Sequence, residues 1–376
     1  MLRLSSDTFS EINKFLSEKD IKSFENSNNT IKCEFKPLRY VKLNSLNSVK
    51  YYHDDIFREL INSKIHMTSK QLSLDLSYCK ITDVSSLGGV HTLDLSFCKI
   101  TDVSSLGSVH TLDLSHCKIT DVSSLGGVHT LDLSFCDIID VSSLGNVTNL
   151  NLSWCDYIVD VSTLGSVHTL KLSHCKITDV SSLSHVHTLN LSGCCNITDV
   201  SMLGDVHTLN LSWCKITDVS SLSHVHTLDL SGCYNIIDVS SLSHVHTLDL
   251  SGCKITDVST LSHVHTLDLS CCYNIIDVST LGGVHILNLY CTNITDVSTL
   301  GGVHILNLSC CKIKNVSSLS GVHTLDLSCC YNIEDISSLR DIHKLTIQHG
   351  FYDTDILYSN NIREIELNYL DISIFL

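Results

Sequence analysis

From Gln71 to about Leu345 the chain repeats one short phrase, typified by Val90-His-Thr-Leu93-Asp-Leu95-Ser-Phe-Cys98-Lys-Ile100-Thr-Asp-Val103-Ser-Ser-Leu106. Its Leu-x-Leu cores begin at Leu74, Leu93, Leu112 and so on to Leu345, each 19 or 20 residues after the last, and Ile365-Glu-Leu367 keeps the step. A phrase that short cannot bury an apolar face of its own. Copies stacked side by side can, each covering its neighbour, so the period dictates a solenoid growing in one direction. Function then has to reside on an extended surface.

Within Val90 to Leu106, the positions Val90, Leu93, Leu95, Cys98, Ile100, Val103 and Leu106 stay apolar from copy to copy, so they form the inward set. Alternation through Leu93-Asp94-Leu95 has the two-residue period of a strand. Each coil therefore adds one short strand to a parallel sheet, with coils about 4.8 Å apart. The remaining stretch, Thr101-Asp-Val-Ser-Ser-Leu106, is too short for an ordinary α-helix and predicts a turn or a single 3₁₀ turn. Asp102 and its counterparts, from Asp83 to Asp335, are placed to accept backbone N–H bonds from the residues that follow them. Coils of 20 residues carry the extra residue just after the cysteine, as in Cys194-Cys195-Asn196-Ile197 against Cys98-Lys99-Ile100. An insertion there bulges a loop and leaves the core alone.

Nineteen cysteines in a short secreted chain would signal a disulfide framework. Here thirteen recur once per coil at one position, from Cys79 and Cys98 to Cys311 and Cys330, with Thr292 as a single replacement. That regularity argues for packing of a small thiol with a weak S–H donor, and it implies a reducing compartment. Period, strand pattern and this position, commonly Asn or Cys, resemble those of the leucine-rich repeats. The resemblance implies an α/β repeat fold, a leucine-rich-repeat solenoid of about 15–16 short coils with a parallel β-sheet, over residues 71–346. A C-terminal cap is expected over 347–376, ending in the apolar run Ile372-Ser-Ile374-Phe375-Leu376, because a bare last coil exposes an apolar face and a strand edge. Residues 36–70, with Tyr40, Val41, Leu43, Tyr51 and Phe57, read as a connecting segment or N-terminal cap.

Residues 1–35 do not repeat. Phe9, Ile12, Phe15 and Leu16, then Ile21 and Phe24, fall at helical spacing and fit two short helices broken near Ser17-Glu18-Lys19. Asp7 and Asp20 stand near the two starts, where the helix dipole favours negative charge. By itself this predicts a small helical cap. The stretch from Leu4 to Ile21 also resembles the first half of an F-box, roughly Leu-Pro-x-Glu-Leu-x-x-x-Ile-x-x-Phe-Leu-x-x-x-Asp-Leu. It matches at Leu4, Ile12, Phe15, Leu16, Asp20 and Ile21, with Asp7 for Glu, Ser5 where Pro is usual, and no Trp/Arg-rich close after Phe24. With repeats following, the chain resembles the F-box and leucine-rich-repeat proteins encoded by giant DNA viruses of protists. That resemblance implies that Leu4, Ile12, Phe15, Leu16 and Ile21 dock into a Skp-family adaptor of a cullin ubiquitin ligase while the repeats hold a target protein. The alternative is that the same side chains pack on the first coil.

A net charge of −16 and no Lys/Arg cluster leave no electrostatic footprint for a phosphate backbone, so nucleic acid is not an expected partner. No segment approaches the roughly 20 apolar residues of a membrane span, and the start lacks a signal-peptide core. The expected location is cytoplasmic, the host cytoplasm if the chain is viral. There is no glycine-rich phosphate loop, nucleophile elbow or Cys-x-x-Cys, and polar groups are spread evenly along ladders, which reads as a non-enzymatic binding rod without a cofactor.

Positions that vary inside a constant phrase are the candidates for recognition. The residue before the cysteine runs from aromatic (Tyr78, Phe97, Phe135, Trp154, Trp213, with His116 and His174) through Gly193, Gly232 and Gly252 to Cys271, Cys291, Cys310 and Cys329. Stacked beside the concave strands, its rings form a stripe of the kind enriched at protein-binding hot spots; alternatively they cover loop backbone. At the strand centre Asp94, Asp113 and Asp132 belong to an acidic face that fits a basic partner, or is simply solvated. Histidine recurs before the strand from His91 to His343, a ladder that is surface decoration or a metal site. The four stacked cysteines offer soft-metal binding or oxidative cross-linking as an alternative to packing.

Overall fold

The computed structural model describes residues 41–64, 72–339, 342–348 and 364–368. The chain divides into two compact units, Met1–Tyr157 and Ile158–Leu376. The F-box-like residues Leu4, Ile12, Phe15, Leu16 and Ile21, and the apolar C-terminal run from Ile372 to Leu376, lie outside the described residues.

In the first unit, β1 (Val41–Lys42) is followed by helices α1 (Ser45–His53) and α2 (Asp55–Lys64). The repeat strands follow as β2 (Leu72–Asp75), β3 (Thr92–Asp94), β4 (Thr111–Asp113), β5 (Thr130–Asp132) and β6 (Asn149–Asn151). All pair in parallel and in register, Leu74 with Leu93, Leu93 with Leu112, Leu112 with Leu131 and Leu131 with Leu150. β1 joins the same sheet, Val41 opposite Leu72, so segment 36–70 contributes a strand as well as helices. Asn44 caps α1 by accepting the Asn47 N–H at 3.0 Å. Ser45 Oγ donates to Asp75 Oδ2 at 2.8 Å, and Ser48 Oγ accepts the Asp75 N–H at 3.1 Å, which fastens α1 to the first coil. Val41, Leu43, Tyr51 and Phe57 are buried, while Ile56 is exposed.

One coil shows how the phrase folds. Val90, Leu93, Leu95, Cys98, Ile100, Val103 and Leu106 are all buried, as the inward set requires. The strand takes only three residues, Thr92–Asp94, because the chain must turn at the next four to return beneath the sheet. The return stroke in later coils closes on short 3₁₀ turns, Leu125–Gly127 and Ser142–Leu144 among them. Asp102 Oδ1 accepts the Ser104 N–H at 2.9 Å, and that bond holds its carboxyl below the usual range. The same Asx turn recurs at Asp83, Asp121 and Asp140.

The second unit repeats the plan through β7 (Thr169–Lys171), β8 (Thr188–Asn190), β9 (Thr208–Asn210), β10 (Thr227–Asp229), β11 (Thr247–Asp249) and β12 (Thr266–Asp268). It continues through β13 (Ile286–Asn288), β14 (Ile305–Asn307), β15 (Thr324–Asp326), β16 (Lys344–Gln348) and β17 (Glu364–Asn368). Each strand pairs in parallel with the next, and β17 continues the register on β16, Ile365 opposite Leu345. The one-residue insertions fall where the phrase predicts. Cys194 and Ile197 stay buried and Cys195 is exposed, while Asn196 Nδ2 donates to the Lys176 carbonyl at 3.2 Å and ties the bulge to the preceding coil. Each unit is thus a leucine-rich-repeat solenoid of short coils.

Candidate functional site

The residue before each coil's cysteine sits in the left-handed region, φ 57° at Tyr78, 59° at Phe97, 58° at His116, 61° at Phe135 and 62° at Trp154. The cause is the tight turn out of the strand: Phe97 N–H donates to the Ser115 carbonyl of the next coil at 3.0 Å, while Cys98 N–H turns back to Leu95 O at 3.2 Å. A non-glycine residue pays roughly 1–2 kcal/mol for that conformation. Stacking of neighbouring rings, worth roughly 0.5–1.5 kcal/mol per pair, offsets it. Centroids lie 4.4 Å apart for Tyr78–Phe97, 4.1 Å for Phe97–His116, 4.2 Å for His116–Phe135 and 5.6 Å for Phe135–Trp154, with planes within 14° of parallel. The first unit therefore carries a continuous aromatic column in which His116 is a full member. Its inner faces are covered by one another, so solvent meets mainly ring edges, and Tyr78 remains 72% exposed.

In the second unit the same position behaves differently. Trp213 lies across the backbone at Gly232, where an added β-carbon would come 2.8 Å from the indole, and His174 lies likewise across Gly193. Trp213 also meets the edge of Tyr234 at 5.6 Å and is still 58% exposed. Here the ring covers loop backbone as well as facing solvent.

The strand-centre carboxylates have a local role that their position alone concealed. Asp94, Asp113 and Asp132 each accept, through Oδ1, the N–H of the serine two residues on, at 2.9 Å. Ser96 and Ser134 add their hydroxyls at 2.7 and 2.6 Å. The readable signal was the serine at constant spacing in Asp-Leu-Ser. Partial burial, with repulsion from Asp94 and Asp132, pushes the Asp113 carboxyl above its ordinary value against the pull of its Ser115 bonds. Where asparagine replaces aspartate the repulsion becomes attraction, since Asn151 Nδ2 donates to Asp132 Oδ2 at 2.7 Å.

The histidines stack as well. His91, His110 and His129 stand 4.6 and 4.5 Å apart, and in the second unit the rings from His168 to His343 follow at 4.4 to 4.7 Å. Most set Nδ1 against the hydroxyl of the following threonine, 3.2 Å for His91 and Thr92. Ring lone pairs lie in the ring planes, perpendicular to the stack, so neighbouring imidazoles cannot converge on one ion without unstacking. No cluster of three or more His, Cys, Asp or Glu suited to a metal occurs among the described residues. Desolvation, then the flanking imidazoles, holds His110, His226, His265 and His304 below the ordinary histidine value.

From Cys98 onward the repeating cysteines are core, while Cys79 in the first coil is partly exposed. Cys98 Sγ donates to Leu76 O at 3.2 Å, Cys117 to Leu95 O at 3.2 Å and Cys233 to Leu211 O at 3.1 Å, each reaching the coil before. Burial pushes Cys117 up to about 11 and Cys194 up to about 12, so these thiols stay protonated and unreactive. Thr292 fits the same slot by donating Oγ1 to Leu289 O at 2.9 Å.

Comparison with known proteins agrees with this geometry. The family model described as Leucine Rich repeat matches residues 72–85, 90–104, 108–123, 182–203, 205–220 and 241–259. Among solved structures the chain is similar to a leucine-rich-repeat protein of Leptospira interrogans, with TM-score 0.55, 17% identity and 80% of each chain covered. It is also similar to the functional domain of InlJ from Listeria monocytogenes, described as including a cysteine ladder, with TM-score 0.54, 24% identity, 74% of this chain and 67% of that one. A third likeness, to TLR13 solved with a single-stranded RNA, has TM-score 0.54 and 16% identity over 79% of this chain and 60% of that one. No curated protein sequence matches the chain. The repeats are leucine-rich repeats, and these likenesses establish the fold. Among the described residues no helix is long and apolar enough to cross a membrane.

Proposed function

We propose that the chain is a non-enzymatic protein-binding scaffold whose recognition surface is the aromatic column of the first unit, Tyr78, Phe97, His116, Phe135 and Trp154, flanked by Asp94, Asp113 and Asp132. The observation that carries this reading is the column itself: large rings held out of the core at a left-handed turn and locked in place by stacking. Rigid aromatics lose little conformational entropy on binding, which is why they dominate interface energetics. Ring edges are electropositive and the neighbouring carboxylates negative, so the surface suits a partner offering carbonyl groups to the rings and basic side chains to the acids. Nucleic acid, the ligand described for TLR13, is disfavoured here by the net charge of −16 and by ring faces already stacked on one another. Thiols that pack and hydrogen-bond in the reduced state favour a reducing, cytoplasmic location.

The second half of the proposal concerns residues 1–35. Their resemblance to an F-box supports docking of Leu4, Ile12, Phe15, Leu16 and Ile21 into a Skp-family adaptor, which would make the chain a substrate receptor of a ubiquitin ligase. Purified full-length chain should bind purified adaptor, and Ile12→Asp with Leu16→Asp should abolish it. An adaptor that never binds the wild-type chain removes this half and leaves the scaffold. For the scaffold, partners captured by wild-type protein should be lost from a Tyr78→Ala, Phe97→Ala, Phe135→Ala variant with unchanged circular dichroism. Retention of the same partners by that variant defeats the reading.

A further inference from the structure

We infer that Cys271, Cys291, Cys310 and Cys329 form a binding site for soft monovalent cations such as copper(I) or silver(I), each ion held linearly between the thiolates of two successive coils. The four residues occupy one position in consecutive coils of the second unit, all left-handed with φ between 57° and 61°, and all partly exposed. Their backbones are locked in register, since Cys271 N–H donates to Tyr290 O at 2.8 Å, Cys291 N–H to Ser309 O at 2.9 Å and Cys310 N–H to Ser328 O at 2.8 Å. The rings at this position in the first unit show what such a register does to side chains: they project in parallel, perpendicular to the direction of stacking, about one coil spacing apart. The thiols therefore form a column rather than a cluster.

That arrangement selects the ligand. Two metal–thiolate bonds of about 2.3 Å laid end to end span about 4.6 Å, against a spacing of about 4.8 Å between parallel strands. An ion on the column axis meets each sulfur nearly at right angles to its C–S bond, which sulfur lone pairs favour. A disulfide needs its sulfurs about 2.05 Å apart, so oxidation must draw the coils or rotamers together while a cation need not. Zinc is a poor fit because it takes four ligands, and three or more candidate ligands converge nowhere among the described residues. Soft thiolates prefer copper(I) among biological ions, and two-coordinate linear binding is normal for such closed-shell monovalent cations.

Neighbouring groups show that the thiols stand side by side along the column, since the Tyr290 side chain meets both Cys291 and Cys310. The Tyr273 hydroxyl stands against the thiols of Cys271 and Cys291, whose contact pushes it up to about 12. Cys310 is raised to about 11 by burial and then by the adjoining Cys329 thiol. The adjacent core cysteines do not compete, since Cys272, Cys311 and Cys330 donate inward to carbonyls of Leu250, Leu289 and Leu308. One cation bound between two thiols replaces their protons, M⁺ + 2 RSH → [RS–M–SR]⁻ + 2 H⁺, with no change of oxidation state.

The test is an anaerobic titration of the reduced full-length chain with copper(I) in competition with a chromogenic copper(I) chelator, with native mass spectrometry for stoichiometry. Two tightly held ions are expected, with an X-ray absorption first shell of two sulfurs. Cys310→Gly with Cys329→Gly should leave one ion, and glycine at all four positions none. These variants keep the backbone, because Gly193, Gly232 and Gly252 already occupy this position with φ of 69° to 72°. Uptake by the fourfold variant equal to wild type, no uptake by wild type, or a shell of three or more sulfurs overturns the assignment.

Discussion

A β-carbon added at Gly232 would meet the Trp213 indole at 2.8 Å, whereas one added at Gly252 meets only Gly232 backbone at 3.9 Å, although φ is positive at both. Gly252→Ala should therefore cost only the left-handed penalty, about 1 kcal/mol. Gly232→Ala should cost more and displace the ring. With Trp154→Phe making Trp213 the sole tryptophan, its emission should move to the red in Gly232→Ala and stay put in Gly252→Ala; identical spectra would show that the ring does not rest there. A second prediction follows from the half-buried carboxylate of Asp113, raised by burial and by Asp94 and Asp132. Asp113→Asn keeps the side-chain oxygen for Ser115, removes the repulsion and supplies an amide to a neighbouring carboxylate, as Asn151 does for Asp132. Stability should rise by about 0.5 kcal/mol, read as a higher urea midpoint. A lower midpoint would mean the charge itself is needed. Neither effect was legible as such in the sequence. The glycines interspersed with rings and cysteines at one position were the available sign of a left-handed turn, and the serine two residues after each strand aspartate was the sign of its turn-closing bond.

At the scale of the coil, legibility was high because one phrase is printed many times. Leu93, Leu95, Ile100, Val103 and Leu106 are buried where the two-residue and return-stroke spacing put them. The 3₁₀ closure and the aspartate turns at Asp102 and its counterparts also follow from spacing too short for a helix and from an acceptor just ahead of free N–H groups. What escaped was β1, two residues long, whose pairing with β2 is a long-range contact with no phrase to announce it. The division after Tyr157 has no compositional sign either, since the phrase runs through it. Because each coil shares its core with its neighbours, damage to one should spread. Leu230 is fully buried, and Leu230→Ala should cost about 2–5 kcal/mol. Amide exchange should accelerate in the strands on either side, Thr208–Asn210 and Thr247–Asp249, as well as in its own. Acceleration confined to Thr227–Asp229 would show that the coils are independent.

For the whole molecule, acid sets two opposing electrostatic effects against each other. Relief of self-repulsion at a net charge of −16 should stabilise the chain as pH falls from neutrality. The histidine ladders act the other way. His110, His226, His265 and His304 have folded values depressed below 6.5, by desolvation first and flanking imidazoles second. The unfolded chain therefore binds more protons just below pH 6.5, and stability is lost as pH falls from there toward the folded values. The turn carboxylates Asp102, Asp121, Asp179 and Asp257 are depressed below 3.8 by backbone bonds, so their contribution holds above about pH 4 and disappears only as pH falls through their folded values. Repulsion among stacked rings at 4.4 to 4.7 Å is local and weakly screened, while net-charge repulsion is spread over a long chain, so the ladder should win. Thermal midpoints should then be flat from pH 8 to 7, fall toward pH 5, level, and fall again below pH 4. Replacing His207 and His246 by Thr, the residue that stands at position 148 of the equivalent coil, should raise the titration midpoint of His226 toward 6.5 and flatten the first decline, both followed by NMR and melting. A midpoint that climbs steadily from pH 7 to 5 would assign control to net charge and leave the stacked imidazoles without thermodynamic effect.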